Sequence, residues 1–120
     1  MKKKEFGLKG ESLAVHFLKE RHYEILEQNW YYKHKEIDII AAIEEFLVII
    51  EVKTRSSEGI ETPNELVSRK KQRFLIDATE AYIHEKDIEK EARFDVIFVY
   101  FENGEPKLEH IEDAFQPSLL

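Results

Sequence analysis

The sequence predicts a single α/β domain, a mixed sheet of about five strands flanked by helices. Three observations predict it. Apolar residues recur at three-and-four spacing over residues 8–21 and again toward Lys86. Five other segments, 23–32, 35–43, 46–55, 92–101 and 106–115, are rich in β-branched and aromatic residues and bounded by turn signals. The order helix, strands, helix, strand, strand then places a crossover helix inside a sheet, which is an α/β arrangement.

A chain of 120 residues is enough for one core, so residues 1–120 are read as one domain. The absence of cysteine excludes disulfide frameworks, thiolate zinc sites and cysteine nucleophiles together. No apolar run approaches the roughly 20 residues that span a bilayer. "MKKKEFGLKGES" at the start has no apolar signal core behind its lysines, so a soluble cytoplasmic protein without membrane contact is expected. A net charge of −7 argues against gripping nucleic acid by bulk positive charge, which makes the placement of each cation decisive.

The first helix carries a stripe of Gly7, Gly10 or Glu11, Ala14, Phe17, Leu18 and Arg21. Its small residues let it approach a sheet closely. After "SSEGIETPNE", a second helix is expected from Pro63 to about Lys86, with Thr62 as N-cap and Glu65 completing a capping box. Its expected core stripe is Val67, Lys71, Phe74 or Leu75, Ala78, and Ala81 or Tyr82. "NGE" at 103–105 marks the turn between the last two strands.

"FLVIIEVKTR" (46–55) poses the functional question, because Glu51 and Lys53 interrupt a strand that otherwise reads as core. Segments 35–43 and 46–55 are so close in sequence that a hairpin is the economical arrangement. A turn centred on Glu44 and Glu45 pairs residues whose numbers sum to 89. Asp38 then faces Glu51 and Glu36 faces Lys53, on a face shared with Ile40 and Ile49. Ile37, Ile39, Val48, Ile50 and Val52 fill the other face. Facing carboxylates repel, and a divalent cation between them would offset that repulsion better than Lys53 alone. Glu11 and Lys71 occupy the apolar stripes of the two helices, so a polar pocket between hairpin and helices is expected. Taken singly, Glu11 could serve the helix dipole and Lys71 could snorkel.

"EID" at 36–38 with "EVK" at 51–53 resembles the PD-(D/E)XK nuclease superfamily, whose core is restriction-endonuclease-like. More closely, "GLKGESLA" (7–14), Asn29, "EIDIIA" (36–41), "VIIEVKTR" (48–55), "VSRKKQ" (67–72), "RFDVIFV" (93–99) and "IEDAF" (111–115) resemble the YraN-like family of small bacterial proteins. That family is similar in turn to archaeal Holliday junction resolvases. Two positions depart from its pattern: Lys35 and His22 stand where glycine is usual. The resemblance implies that Asp38, Glu51 and the Val52 carbonyl ligate Mg²⁺ or Mn²⁺, that Lys53 orients the metal-bound water or stabilises charge at the phosphate, and that Glu11 completes the acidic set through a water or a second metal. It also implies that Lys71 and Gln72 face the scissile phosphate. The activity it implies is endonucleolytic hydrolysis of branched or structured DNA in repair or recombination, with a homodimer suited to a symmetric junction.

Independently, "RKKQR" (69–73) concentrates Arg69, Lys70, Lys71 and Arg73 near Lys53 and Arg55, a pattern that tracks backbone phosphates. Its alternative is a solvated helix face. In "WYYKHK", Trp30 and Tyr32 are expected to pack, which leaves Tyr31 as a base-stacking candidate. His16, His22, His34, His84 and His110 have no metal-ligand spacing and are read as surface or structural. The rival readings are a nucleic-acid-binding module on the nuclease fold without turnover, and an interaction protein whose acids are structural. RNA remains a second substrate class, because no motif reads a 2′-hydroxyl.

Overall fold

The computed structural model describes residues 3–55 and 67–117. In chain order its elements are α1 (Lys3–Glu20), β1 (Glu24–Tyr32), β2 (Lys35–Ile43), β3 (Phe46–Arg55), α2 (Arg69–Lys86), β4 (Glu91–Glu102) and β5 (Glu105–Phe115). The strands form one sheet in the order β1-β2-β3-β4-β5. β3 and β4 are parallel, and the other neighbouring pairs are antiparallel. This is the mixed α/β architecture that the sequence predicts. Among the described residues no helix is long and apolar enough to cross a membrane.

A strand covered on both faces needs apolar residues at consecutive positions, which accounts for the run at 46–50. Leu47 and Ile49 pack with Leu75, Ala78 and Tyr82 of α2. Val48 and Ile50 pack with Ala14, Val15 and Leu18 of α1. The two helices thus cover opposite faces. Gly10 is buried because α1 lies flat on the end of β3, where a Cβ would collide with the Thr54 side chain. That contact seats the neighbouring Glu11 over the end of the sheet.

α2 begins later than expected. Ser68 is its N-cap, and the Ser68 Oγ accepts the Lys71 N–H at 3.1 Å. The expected box of Thr62, Pro63 and Glu65 lies outside the described residues. The buried stripe differs as well: Gln72, Leu75, Ala78, Thr79 and Tyr82. Val67 precedes the helix and therefore does not set its phase, so Lys71 falls on the margin of the stripe. Gln72 can be buried because its Nε2 donates to the Val67 carbonyl at 2.9 Å.

α1 ends as the sequence implies. The Tyr23 N–H reaches the Leu18 carbonyl and the His22 N–H reaches that of Lys19, a Schellman pair that requires the left-handed φ of 70° at His22. A side chain there is strained by about 1 kcal/mol. His22→Gly should accordingly raise the unfolding free energy by up to about 1 kcal/mol in urea titrations, with the m-value unchanged.

Asp95 of β4 is fully buried beside the β4–β5 irregularity. It accepts from Arg93 Nε and a guanidinium NH2 at 3.0 and 2.9 Å, and from the Asp113 N–H at 3.0 Å. His110 Nε2 lies 2.7 Å from the same carboxylate. Burial pushes the Asp95 carboxyl up, but the His110, Arg93 and Asp113 hydrogen bonds outweigh it and hold the group below the usual carboxylate range. A depressed pKa adds stability above the unfolded value of about 3.9 and loses it as pH falls through the folded value. Asp95→Asn should therefore cost about 3 kcal/mol at pH 7. The gap from wild type should close as the pH is taken below about 4 in denaturant titrations.

Candidate active site

The β2–β3 register is the one the turn demands. Ile43 pairs with Phe46, Ala42 with Leu47, Ala41 with Val48, Ile40 with Ile49, and Ile39 with Ile50. Glu44 enters the turn with a φ of 51°. Beyond Ile39 a side chain takes over from the ladder: the Val52 N–H donates to Asp38 Oδ2 at 2.8 Å. One expectation fails here. Ile37 packs with Ile40 and Ile49 under α2, whereas Ile39 packs under α1, so the two do not share a face. The break in alternation coincides with Asn29 of β1, which has a φ of 51° between the Gln28–Ile39 and Trp30–Ile37 pairs. At the same level the β2–β3 ladder ends with the Ile39–Ile50 pair, and Asp38 sits just beyond it while β1 and β2 stay paired.

Glu51 lies beside Asp38 and is only 4% exposed. Lys53 Nζ and Lys71 Nζ stand 3.7 and 3.5 Å from Glu51 Oε2. Both ammoniums serve the same oxygen, while Oε1 is buried without a hydrogen-bond partner. Burial, followed by the charge of Glu51, pushes the Asp38 carboxyl up to about 9. Glu11 adds to that shift, and the Val52 N–H opposes it. The two carboxyls are close enough to share a proton, and with both ionised neither can donate.

Glu11 arrives from α1 and is held by Asn29, whose Nδ2 donates to Glu11 Oε1 at 2.9 Å and approaches Glu36 Oε1 at 3.5 Å. Among the described residues no group of three or more His, Asp or Glu side chains is gathered tightly enough to hold a metal by itself. The acidic pair of Asp38 and Glu51 is what the fold brings together, and Glu11 stands next to it, turned to Asn29. Two carboxylates, one with an orphaned oxygen, suit a hard cation that keeps most of its waters, as Mg²⁺ does.

The basic residues divide. Lys53, Lys70 and Lys71 line a cavity of about 390 Å³ with Lys35, Glu51, Val67 and Ser68. Arg55 donates to the neighbouring Thr54 carbonyl at 3.0 Å, and Arg69 and Arg73 are exposed on α2 outside the cavity. Gln72 is corrected: at 6% exposure, with its amide on the Val67 carbonyl, it braces the helix start and does not face the cavity. Trp30 and Tyr32 stack at 6.3 Å against Tyr82 and Phe74, as packing residues do, while Tyr31 is 68% exposed. The sequence reading assigned no role to Asn29 and no contact to Lys35. The tolerance of asparagine for left-handed backbone was the signal for the first, and the second needed coordinates.

A family model described as "Uncharacterised protein family UPF0102" matches residues 10–99. A UPF0102 protein of Flavobacterium psychrophilum is 48% identical over 111 residues, covering 92% of this chain and 93% of that protein. A second, from Flavobacterium johnsoniae, is 47% identical over 116 residues, covering 92% and 94%. A third, from Bacteroides thetaiotaomicron, is 44% identical over 116 residues, covering 97% and 96%. The span of the family model includes positions 38, 51, 53 and 71.

A raised pKa at Asp38 opposes folding. Between the unfolded value near 3.9 and about 9, metal-free stability should fall with rising pH, since the folded state keeps a proton that the unfolded state releases. Asp38→Asn keeps a neutral group that can donate to Glu51 and accept from Val52. In EDTA at pH 8 it should be more stable than wild type by at least about 1 kcal/mol, an advantage that shrinks toward pH 4. Lower stability of the variant at pH 8 would contradict the assignment.

Proposed function

We propose that this chain, which belongs to the UPF0102 family, is a divalent-metal-dependent endodeoxyribonuclease that hydrolyses phosphodiesters in branched or otherwise structured DNA. The observation that carries the reading is the orphaned Glu51 Oε1 beside the Asp38 carboxyl, with lysines grouped on the other Glu51 oxygen. Such a buried, unsatisfied carboxylate calls for an explanation, and a bound cation supplies one.

Asp38 and Glu51 would hold Mg²⁺ or Mn²⁺ with the Val52 carbonyl, and the ion, when bound, would acidify a water and neutralise phosphate charge. Each residue then has a task of its own. Asp38 is locked by the Val52 N–H on Oδ2, which leaves its other oxygen for the ion. Lys53, next to Glu51 Oε2, is placed to orient the attacking water or to donate to a phosphoryl oxygen as charge develops there. Lys71 reaches the same edge from α2 and would hold a non-bridging oxygen. Glu11, fixed by Asn29, would take a water of the second coordination layer. The resemblance to junction resolvases supports the choice of branched DNA.

The test is cleavage by purified protein of four-way junctions, flaps, single strands and duplexes with Mg²⁺ or Mn²⁺. Asp38→Asn and Lys53→Ala should each lower the rate about 100-fold or more while binding persists. Full activity in both variants would refute the assigned roles. Salt-sensitive DNA binding with no product under any divalent ion would favour the module without turnover.

A further inference from the structure

The cavity beside Glu51 holds more positive charge than the acidic pair uses. Four lysines line it, Lys35, Lys53, Lys70 and Lys71, against one lining carboxylate. Lys53 and Lys71 lean on Glu51 Oε2. Among the described residues Lys35 and Lys70 have no acidic partner at ion-pair distance. Lys35 is drawn to the cavity by an aromatic ring: its Nζ lies 5.8 Å from the centre of Phe74. Lys71 Nζ lies 5.4 Å from the same ring. Cation–π attraction of about 1 kcal/mol per ammonium gathers two like charges around one side chain, and their mutual repulsion works against it. The first turn of α2, which opens onto the same cavity at Ser68, contains no acidic residue.

An anion between these groups removes the repulsion. The cavity, about 390 Å³ and open to solvent, leaves room for more than a single phosphate group along the four lysines. We propose that Lys35 and Lys70 form a second backbone-phosphate subsite beside the cleavage position, so that the site takes a strand with at least two consecutive phosphodiesters. The proposal rests on the nuclease reading for the position of the scissile phosphate. Lys35, at the start of β2, is then a residue through which this chain sets the length of strand it holds.

Binding without turnover separates the two ideas. Fluorescence anisotropy in EDTA, with a labelled single strand of ten nucleotides, is measured across a range of NaCl concentrations for wild type, Lys35→Ala, Lys35→Arg and Lys86→Ala. Lys86 lies about 24 Å along α2 from Lys70 and serves as the control. Lys35→Ala should weaken binding and reduce the log–log salt slope by about 0.7, one phosphate contact on a single strand. Lys35→Arg should keep the slope, and Lys86→Ala should not change it. An unchanged slope in Lys35→Ala, or no binding by wild type, overturns the subsite. Displacement of the strand by equimolar pyrophosphate overturns the strand reading in favour of a free oligophosphate. A changed slope with no cleavage in the activity panel leaves the subsite standing and removes the nuclease.

Discussion

The hydrogen bond from the Val52 N–H to Asp38 Oδ2 is the constraint on which the candidate site depends. It occurs where the β2–β3 ladder ends, so a carboxylate stands in for a strand. A backbone donor so close to the core must be satisfied, and Asp38 is thereby held inside the sheet instead of turning to solvent. The desolvation that follows raises its proton affinity, and the nearby Glu51 raises it further. The bond itself opposes that shift, but the position it imposes on Asp38 is what exposes the carboxyl to both effects.

Around this point the two helices contribute opposite charge from opposite faces. α1 is pressed onto β3 through Gly10 and Thr54, which delivers Glu11 to Asn29. α2 is fixed at its start by the Ser68 cap and by Gln72 on the Val67 carbonyl, which aims Lys70 and Lys71 into the cavity. Both arrangements hold functional side chains on rigid elements, and side chains held in this way keep their geometry when a substrate arrives.

How much of this was legible in the sequence depends on the range of the interaction. The hairpin register could be read from Glu44 and Glu45 alone, because a short turn leaves few ways to pair strands so apolar. The placement of Asp38 near Glu51 followed from it. The break at Ile37 could not be read, since it coincides with a left-handed residue, Asn29, on a different strand. The helix start at Ser68 could not be read because Ser68 is followed by basic residues that a local rule scores poorly in a first turn. Gln72 was misread for a related reason: with the helix phase set from Val67, its burial was hidden. Lys35 owes its place to Phe74, some forty positions away, a contact that composition does not encode.

The contrast between two buried acids on neighbouring strands strengthens the functional reading. In the parallel register Ile50 pairs with Asp95 and Glu51 with Val96, so the two acids occupy successive levels of the sheet on opposite faces. Asp95, the structural one, has Arg93, His110 and the Asp113 N–H all within hydrogen-bond distance. Glu51 has two ammoniums at 3.5 and 3.7 Å on one oxygen and, among the described residues, no donor for the rest of the group beyond the Asp38 carboxyl beside it. The same fold therefore satisfies a buried carboxylate fully when only stability is at stake. At Glu51 it leaves an oxygen unpaired and packs a second carboxyl against it, an arrangement that costs stability in the metal-free protein. Functional sites are where such a cost is retained, and the cation proposed between the two acids, with phosphates at the surrounding lysines, is the chemistry that would recover it.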